Sequence, residues 1–228
     1  MLLLLISLAI APGIAISLFI YSFRRMSTES VQQLIISFIL GMCATIPPFL
    51  IQRLSGDVRD EPFRHSILSF AWYAYIIVAF TEEGSKYLVL RWYAYPLKSF
   101  QEPFDGVIYS VMIGMGFATV ENIEYVWKFG VETGVARMFL SVPAHASFAV
   151  LMGYNIGLAK FRLHRKRWLM WKGLVIVVLL HGSFDFFLFL QQHHVARRYV
   201  SEGILSFGAF ASFYIAVRQA WKAIRLHK

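Results

Sequence analysis

The chain has 228 residues, of which 58% are hydrophobic and only 15% are charged. Soluble domains carry about 25% charged residues, so this composition, with a mean hydropathy of +0.58, excludes an ordinary soluble domain. The net charge of +9 would suggest nucleic acid in a soluble protein, but the basic residues here lie mainly between apolar runs, where they set membrane orientation. We therefore expect one membrane domain over residues 1–228, in contact with the lipid bilayer and without a nucleic-acid partner.

Runs of about 20 apolar residues, the length that crosses a bilayer as a helix, begin at the N-terminus. The first predicted span runs from about Leu2 to Phe23. The second runs from about Val31 to Ile51, and Pro47-Pro48 should kink or end it. A polar stretch from Gln52 to Arg64 follows and is predicted to be a loop.

The third span is too long for one crossing if it runs from His65 to Tyr95, and an alternative placement is about Trp72 to Tyr95. The other apolar runs complete an all-α, polytopic membrane helix bundle of about seven transmembrane helices. These four spans are predicted at about Phe104–Trp127, Met138–Phe161, Trp168–Leu190 and Gly203–Trp221.

The distribution of Lys and Arg predicts the orientation of this bundle. With the N-terminus outside and the C-terminus inside, the cytoplasmic segments hold about twice as many basic residues as the external loops. The run Arg165-Lys166-Arg167 contributes most to this difference, whereas Arg137 is counted in an external loop.

Ionisable and polar residues interrupt the apolar spans, although a charge at the centre of a membrane helix costs about 2.5–3.5 kcal/mol. They must face one another or a hydrated cavity, which makes them candidates for a functional site. They are Glu82, Glu83, Lys86, Glu121, Asn122, Glu124, His145, His181 and Asp185.

Helical spacing predicts which of these residues are neighbours. Glu82 and Lys86 are four residues apart, so they share a helix face and can pair. His181 and Asp185 have the same spacing. The Asp185 carboxylate could fix the tautomer of the imidazole. A shared site requires the third span to begin near Trp72, because its glutamates then lie at the depth of the histidines.

Some of these residues also have structural interpretations. Glu82 and Lys86 could form a structural ion pair, Glu124 lies near the outer end of its span and is predicted to be interfacial, and Asp105 could cap its helix. The chain contains neither the H-E-x-x-H motif of zinc proteases nor the G-x-S-x-G motif of serine hydrolases.

Four motifs, in this order on four successive spans, resemble those of the PrsW family. They are Glu82-Glu83-Gly-Ser-Lys86, Phe117-Ala-Thr-Val-Glu121-Asn122, His145 and His181-Gly-Ser-Phe-Asp185. PrsW proteins are membrane proteases that make the first cut in a membrane-anchored anti-sigma factor, in a superfamily with the CAAX prenyl proteases. The resemblance covers roughly Phe70 to Leu190, so the core of the site is expected at about residues 65–190.

The resemblance implies that Glu82, Glu83 and His181 are needed for activity, with His145 in the same site, and that Glu121 and Asp185 line it. It also implies a multi-pass protein of the bacterial cell membrane, a role in envelope stress and an anti-sigma factor as partner.

In our mechanistic hypothesis, Glu82 or Glu83 acts as the general base and accepts a proton from the hydrolytic water. A histidine then orients the water or stabilises the oxyanion, with Asn122 as a weaker candidate, and Lys86 keeps one glutamate ionised.

This mechanism needs no cofactor, and none is expected. The alternatives are a metalloprotease, because Glu, His and Asp are acceptable zinc ligands, a non-catalytic membrane scaffold of the same superfamily, and a proton-linked transporter. The sequence does not indicate the oligomeric state.

Overall fold

The structure is a computed structural model that describes residues 2–23, 31–56, 66–191 and 194–226, and all regular structure in these ranges is helical. The predicted all-α class is therefore confirmed for the described residues. The elements in chain order are α1 (Leu2–Tyr21), α2 (Val31–Cys43), α3 (Ile46–Ser55), α4 (Ile67–Trp72), the π-helical segment π1 (Tyr73–Phe80), α5 (Thr81–Val89), a second π-helical segment π2 (Leu90–Ala94), α6 (Pro103–Phe139), α7 (Ser141–Phe161), a 3₁₀ turn (Leu163–Arg165), α8 (Lys166–Leu190), α9 (His194–Tyr199) and α10 (Glu202–Arg225).

Four helical segments of the described chain are long and apolar enough to cross a membrane, namely Leu3–Tyr21, Val31–Ser55, Pro103–Phe161 and Leu163–Leu190. Pro103–Phe161 consists of two long helices, α6 and α7. Together with the other three segments, the helical run over residues 67–94 and α10, they give seven long helical segments in the described residues. The number agrees with the predicted seven. Large apolar side chains cover the outer surface, as expected where helices face lipid.

One continuous helical run from α4 to π2 corresponds to the third predicted span. Its 28 residues would measure about 42 Å as a plain α-helix, which exceeds the roughly 30 Å of bilayer hydrocarbon. The two π-helical segments widen the turns and shorten the run, and such segments are frequent at functional sites. π1 ends at Phe80, so Glu82 and Glu83 lie at the start of the α-helical part.

The second predicted span is divided by a turn at Ala44-Thr45, and the two prolines lie in the first turn of α3, so the predicted kink is confirmed. The prediction that a loop begins at Gln52 was wrong. α3 continues to Ser55 and ends at Gly56, whose φ of 78° favours glycine. Residues 57–65, including His65, lie outside the described residues.

Helix α6 reverses direction at Gly130, which has a φ of 83°. Arg137 donates a hydrogen bond to Asn122, 15 positions earlier, and a straight helix would separate these residues by about 22 Å. The two limbs, residues 103–129 and 131–139, therefore form a hairpin, and the second limb leads through a break at Leu140 into α7.

Glycines allow α6 to pack closely between α2 and α7. A Cβ atom on Gly153 would lie 2.3 Å from the carbonyl oxygen of Gly106, and one on Gly157 would lie 2.0 Å from that of Pro103. Small residues at Gly153 and Gly157 therefore allow the backbones of α6 and α7 to come into direct contact. On the other side of α6, a Cβ on Gly116 would lie 2.0 Å from the carbonyl oxygen of Phe38. These contacts fix the depth at which the polar residues of the neighbouring helices meet.

Candidate active site

The ionisable residues predicted to gather come from four helices and lie side by side. Glu82, Glu83 and Lys86 come from α5, Glu121 from α6, His145 from α7, and His181 and Asp185 from α8. Glu82, Glu83, Lys86, His145 and His181 are all buried. The structure therefore brings together residues separated by up to about one hundred positions in the chain.

His181 is held between two carboxylates. Its Nδ1 lies 2.9 Å from Oε1 of Glu83, and its Nε2 lies 3.2 Å from Oδ2 of Asp185. The ring stacks on Phe148 with 5.0 Å between centroids. The contact with Asp185 is the one predicted from their spacing on one helix. The three contacts leave the imidazole little freedom to rotate.

His145 has a similar environment on the opposite side of the cluster. Its Nε2 lies 2.8 Å from Oε2 of Glu121, and its Nδ1 lies 3.2 Å from the Nζ of Lys86. The two imidazole rings are 5.3 Å apart and nearly perpendicular. Each histidine therefore has a carboxylate at Nε2, and its Nδ1 faces the charged residues of α5.

Lys86 pairs more closely with Glu83 than with its predicted partner Glu82. Its Nζ donates to Oε1 of Glu83 at 2.7 Å and lies 3.8 Å from Oε2 of Glu82. The ammonium also lies 4.0 Å from the centroid of the Phe117 ring, a cation–π contact. Lys86 thus links Glu83 and His145 and balances part of the negative charge of the glutamates.

A cavity of about 1310 Å³ opens beside this cluster. Its wall includes Glu82, Glu121, His145, His181 and Asp185, together with apolar residues of α3, α6 and α8. The two glutamates of α5 differ here, because Glu83 does not line the cavity. Oε2 of Glu82 has no hydrogen-bond partner among the described residues, whereas Oε1 of Glu83 is bonded to Lys86 and His181.

Sequence reasoning missed two residues that contact this cluster. Gln52, assigned to a loop, lies on α3, and its Nε2 donates to Oε1 of Glu82 at 3.1 Å. Arg137, counted in an external loop, lines the cavity and places its Nη2 3.0 Å from Oε1 of Glu121. Neither contact could be found from spacing on one helix, since each joins two separate helical segments.

The other predicted polar residues lie around the site. Asn122 is buried and accepts a hydrogen bond from Arg137, but it does not line the cavity. Glu124 is partly exposed and pairs with Lys128 one turn later, at 2.5 Å. Asp105 caps α6, because its carboxylate accepts hydrogen bonds from the backbone amides of Gln101 and Glu102. Asp105 is therefore structural.

Three of these residues are suitably placed to hold a metal ion. Glu82, His145 and His181 each offer a ligand atom, and these atoms lie within 4.8 Å of one another. One glutamate and two histidines form a known zinc ligand set, and carboxylates behind both imidazoles are typical of metal-ligating histidines. The unbonded Oε2 of Glu82 also fits this use. With carboxylates at both Nε2 atoms, the Nδ1 atoms would be the ligands, and Lys86 would have to release that of His145 and Glu83 that of His181.

Comparison with known proteins agrees with this chemistry. A family model described as "PrsW family intramembrane metalloprotease" matches residues 29–217. The Protease PrsW of Bacillus subtilis is 37% identical over 188 residues, which cover 81% of this chain and 82% of the relative. The same protein of Geobacillus kaustophilus is 34% identical over 188 residues, covering 82% and 81%. That of Clostridioides difficile is 32% identical over 190 residues, covering 81% and 79%. No solved structure matches the chain.

Proposed function

Because this chain belongs to the PrsW family of intramembrane metalloproteases, we propose that it makes the first cut in a membrane-anchored anti-sigma factor. The chain is a peptidase in a membrane. The finer assignments are part of the proposal, namely the bacterial cell membrane, a multi-pass topology with the N-terminus outside, and a role in envelope stress.

The cavity beside the charged cluster is the observation that carries this proposal. Small-molecule pockets measure roughly 300–1,000 Å³, whereas this cavity measures about 1310 Å³. Its size and its mixed polar and apolar wall suit a segment of polypeptide. A catalytic cluster that borders such a cavity can reach a peptide bond without unfolding the bundle.

The position of the cavity along the helices supports a cut near the outer surface. Its lining residues come from α3, which is the second half of its span, from the first half of the helical run over residues 67–94, from the two limbs of the α6 hairpin, from the N-terminal part of α7 and from the C-terminal part of α8. In the proposed orientation all of these parts lie toward the outside. The cut then falls in the part of the substrate that is near the outer interface of the membrane.

The chemistry follows from the different surroundings of the site residues. Glu82 is the residue we assign as the base for the hydrolytic water, because its side chain lines the cavity and its buried Oε2 has no hydrogen-bond partner among the described residues. Gln52 binds the other oxygen and orients the carboxylate. His145 and His181 lie within reach of the same water and can stabilise the oxyanion or donate a proton to the leaving amine. Glu83 instead holds Lys86 and His181 in place.

The same site fits the metal chemistry named in the family description. Glu82, His145 and His181 would hold a divalent ion, which would polarise the scissile carbonyl and lower the pKa of a bound water. Glu82 is then a ligand rather than the proton acceptor. It is essential in both forms of the chemistry.

Coexpression of the protein with a membrane-anchored anti-sigma factor tagged at both ends tests the proposal. We expect the wild type to release a shortened product, and the Glu82→Gln variant to accumulate to the same level without releasing it. Intact substrate with the wild type would contradict the proposed substrate. A scaffold would give no cleaved product and would lose abundance or assembly in the variant, whereas a transporter would carry protons into liposomes.

A further inference from the structure

Arg137 lies in the wall of the active-site cavity, although it belongs to the short second limb of the α6 hairpin. Its side chain is only 12% exposed, and a guanidinium in such a position is costly unless it is paired. We propose that Arg137 is a positioning residue that fixes the Glu121 carboxylate, which in turn holds the imidazole of His145 in the site. This inference rests on the proposed proteolytic function.

Glu121 uses its two oxygens for two different partners. Oε1 lies 3.0 Å from Nη2 of Arg137, and Oε2 lies 2.8 Å from Nε2 of His145. A carboxylate that is paired at one oxygen with a buried cation cannot turn without weakening that ion pair. The contact with Arg137 therefore determines where the second oxygen of Glu121 points, and so the orientation of the His145 ring.

The side chain of Arg137 is held in one orientation by two residues of the first limb of α6. Its Nε donates to Oδ1 of Asn122 at 2.7 Å, and its guanidinium lies 4.1 Å from the centroid of the Tyr125 ring. Asn122 and Tyr125 lie on the same stretch of α6 as Glu121. These two contacts orient the guanidinium independently of Glu121. The reversal of the chain at Gly130 places the guanidinium next to Glu121.

An arginine suits this position better than a lysine does. The planar guanidinium can form its ion pair with Glu121 and donate to Asn122 at once, while its face packs on Tyr125. A lysine ammonium keeps the charge but does not reproduce this combination. The Arg137→Lys variant should therefore retain more activity than Arg137→Gln and less than the wild type.

Cleavage kinetics of the purified full-length protein test the positioning role. Outer-shell partners of site residues typically contribute about 10- to 100-fold to activity, and we expect Arg137→Gln to lower kcat by that factor. KM should change much less than kcat, because the proposed role of Arg137 is to orient Glu121 and His145. Glu132→Gln, an exposed change on the same limb, is the control and should match the wild type.

Two further variants distinguish a positioning role of Arg137 from a purely structural role, in which it only holds the second limb of the α6 hairpin against the first. If Arg137 acts through Glu121, the double variant Glu121→Gln/Arg137→Gln should be no less active than Glu121→Gln alone. Asn122→Ala removes one contact of Arg137 but leaves its ion pair with Glu121, so it should be much milder than Arg137→Gln. Additive losses in the double variant, or equal losses in the two single variants, would overturn the inference.

A measurement without substrate distinguishes this inference from the proposed function. The imidazole resonances of His145, assigned with a His145→Gln variant, can be followed by NMR in protein labelled with ¹⁵N-histidine. We expect Arg137→Gln to shift them and Glu132→Gln to leave them unchanged. Unchanged His145 resonances in Arg137→Gln contradict the positioning role, whereas a wild type that leaves the anti-sigma factor intact contradicts the proposed function.

Discussion

Glu82 and Glu83 are adjacent in the chain, but only Glu82 lines the cavity. Glu83 is 1% exposed, and its Oε1 lies 2.7 Å from the Nζ of Lys86 and 2.9 Å from Nδ1 of His181. Consecutive residues of an α-helix point about 100° apart, so one glutamate can face the cavity while the other faces the neighbouring helix. The two carboxylates should therefore respond differently to the same substitution.

We expect Glu82→Gln to lower kcat by at least about 100-fold, since it removes the carboxylate that either accepts the proton of the water or, with a metal bound, serves as a ligand. The thermal stability of this variant should stay close to that of the wild type, because the Gln52 contact can be kept by an amide oxygen. Glu83→Gln should lower both activity and stability. It leaves the Lys86 ammonium without its closest carboxylate, and breaking a buried pair costs about 3 kcal/mol or more.

Cleavage assays and thermal unfolding of the two purified variants in detergent check this prediction. A Glu83→Gln variant that is as stable as the wild type but inactive would assign Glu83 to the chemistry rather than to the support of Lys86 and His181. Full activity in both variants would remove the glutamates from the mechanism.

Replacement of Gln52 by methionine should lower kcat without loss of protein. The two side chains are similar in length, but methionine cannot donate to Oε1 of Glu82, so the carboxylate loses its orientation. A hydrogen bond to a charged group contributes about 1.5–3 kcal/mol, and about a ten-fold loss of kcat corresponds to the lower end of this range. Steady-state cleavage of the substrate measures the effect.

Ser55→Ala, also on α3, is the matched control. Among the described residues, the Ser55 hydroxyl bonds only the backbone carbonyl of Ile51 in its own helix, so its loss should leave kcat unchanged within about two-fold. Equal losses in Gln52→Met and Ser55→Ala would attribute the effect to α3 as a whole and not to the contact with Glu82.

Metal content should follow the three candidate ligands. We expect the purified wild type to hold about one divalent ion per chain, and a strong chelator to abolish cleavage until zinc is returned. His181→Gln should lower the metal content, since it removes one of the three donors. Elemental analysis and chelator titration give the two readouts. Full cleavage by a protein without metal would instead leave Glu82 as the direct proton acceptor.

Contacts within one helix could be predicted from the sequence, because the helical repeat alone fixes them. The pair of His181 and Asp185, four residues apart, is the clearest case. The repeat could not decide between Glu82 and Glu83 as the closer partner of Lys86, since residues three and four positions away are both neighbours. The π-helical segments also change the repeat in the third span, and apolar residues give no signal of them.

Contacts between helical segments could not be predicted from the sequence, because they depend on where each helix ends or reverses, and hydropathy does not show this. Arg137 was placed in a loop because a polar stretch between two apolar runs resembles a loop, whereas the chain stays helical and reverses at Gly130. Gln52 was placed in a loop because α3 ends four residues later than its apolar run does. Motif resemblance could identify the cluster itself, but not the residues that support it.

The packing of α2 on α6 gives the last prediction. A Cβ on Gly116 would lie 2.0 Å from the carbonyl oxygen of Phe38, and backbone cannot move aside as a flexible side chain can. Gly116→Ala should therefore lower the midpoint of thermal unfolding, and it should also lower activity because α6 carries Glu121. Overpacking of this kind typically costs about 1–3 kcal/mol.

Gly84→Ala tests whether the effect is one of packing. A Cβ on Gly84 would have no atom of the described residues within 4 Å, and alanine favours a helix by about 1 kcal/mol relative to glycine. This variant should be at least as stable as the wild type. A Gly116→Ala protein that unfolds at the wild-type temperature would mean that α2 and α6 can separate without cost. In that case, the position of α6 and of Glu121 would not depend on the close packing of α2 against α6.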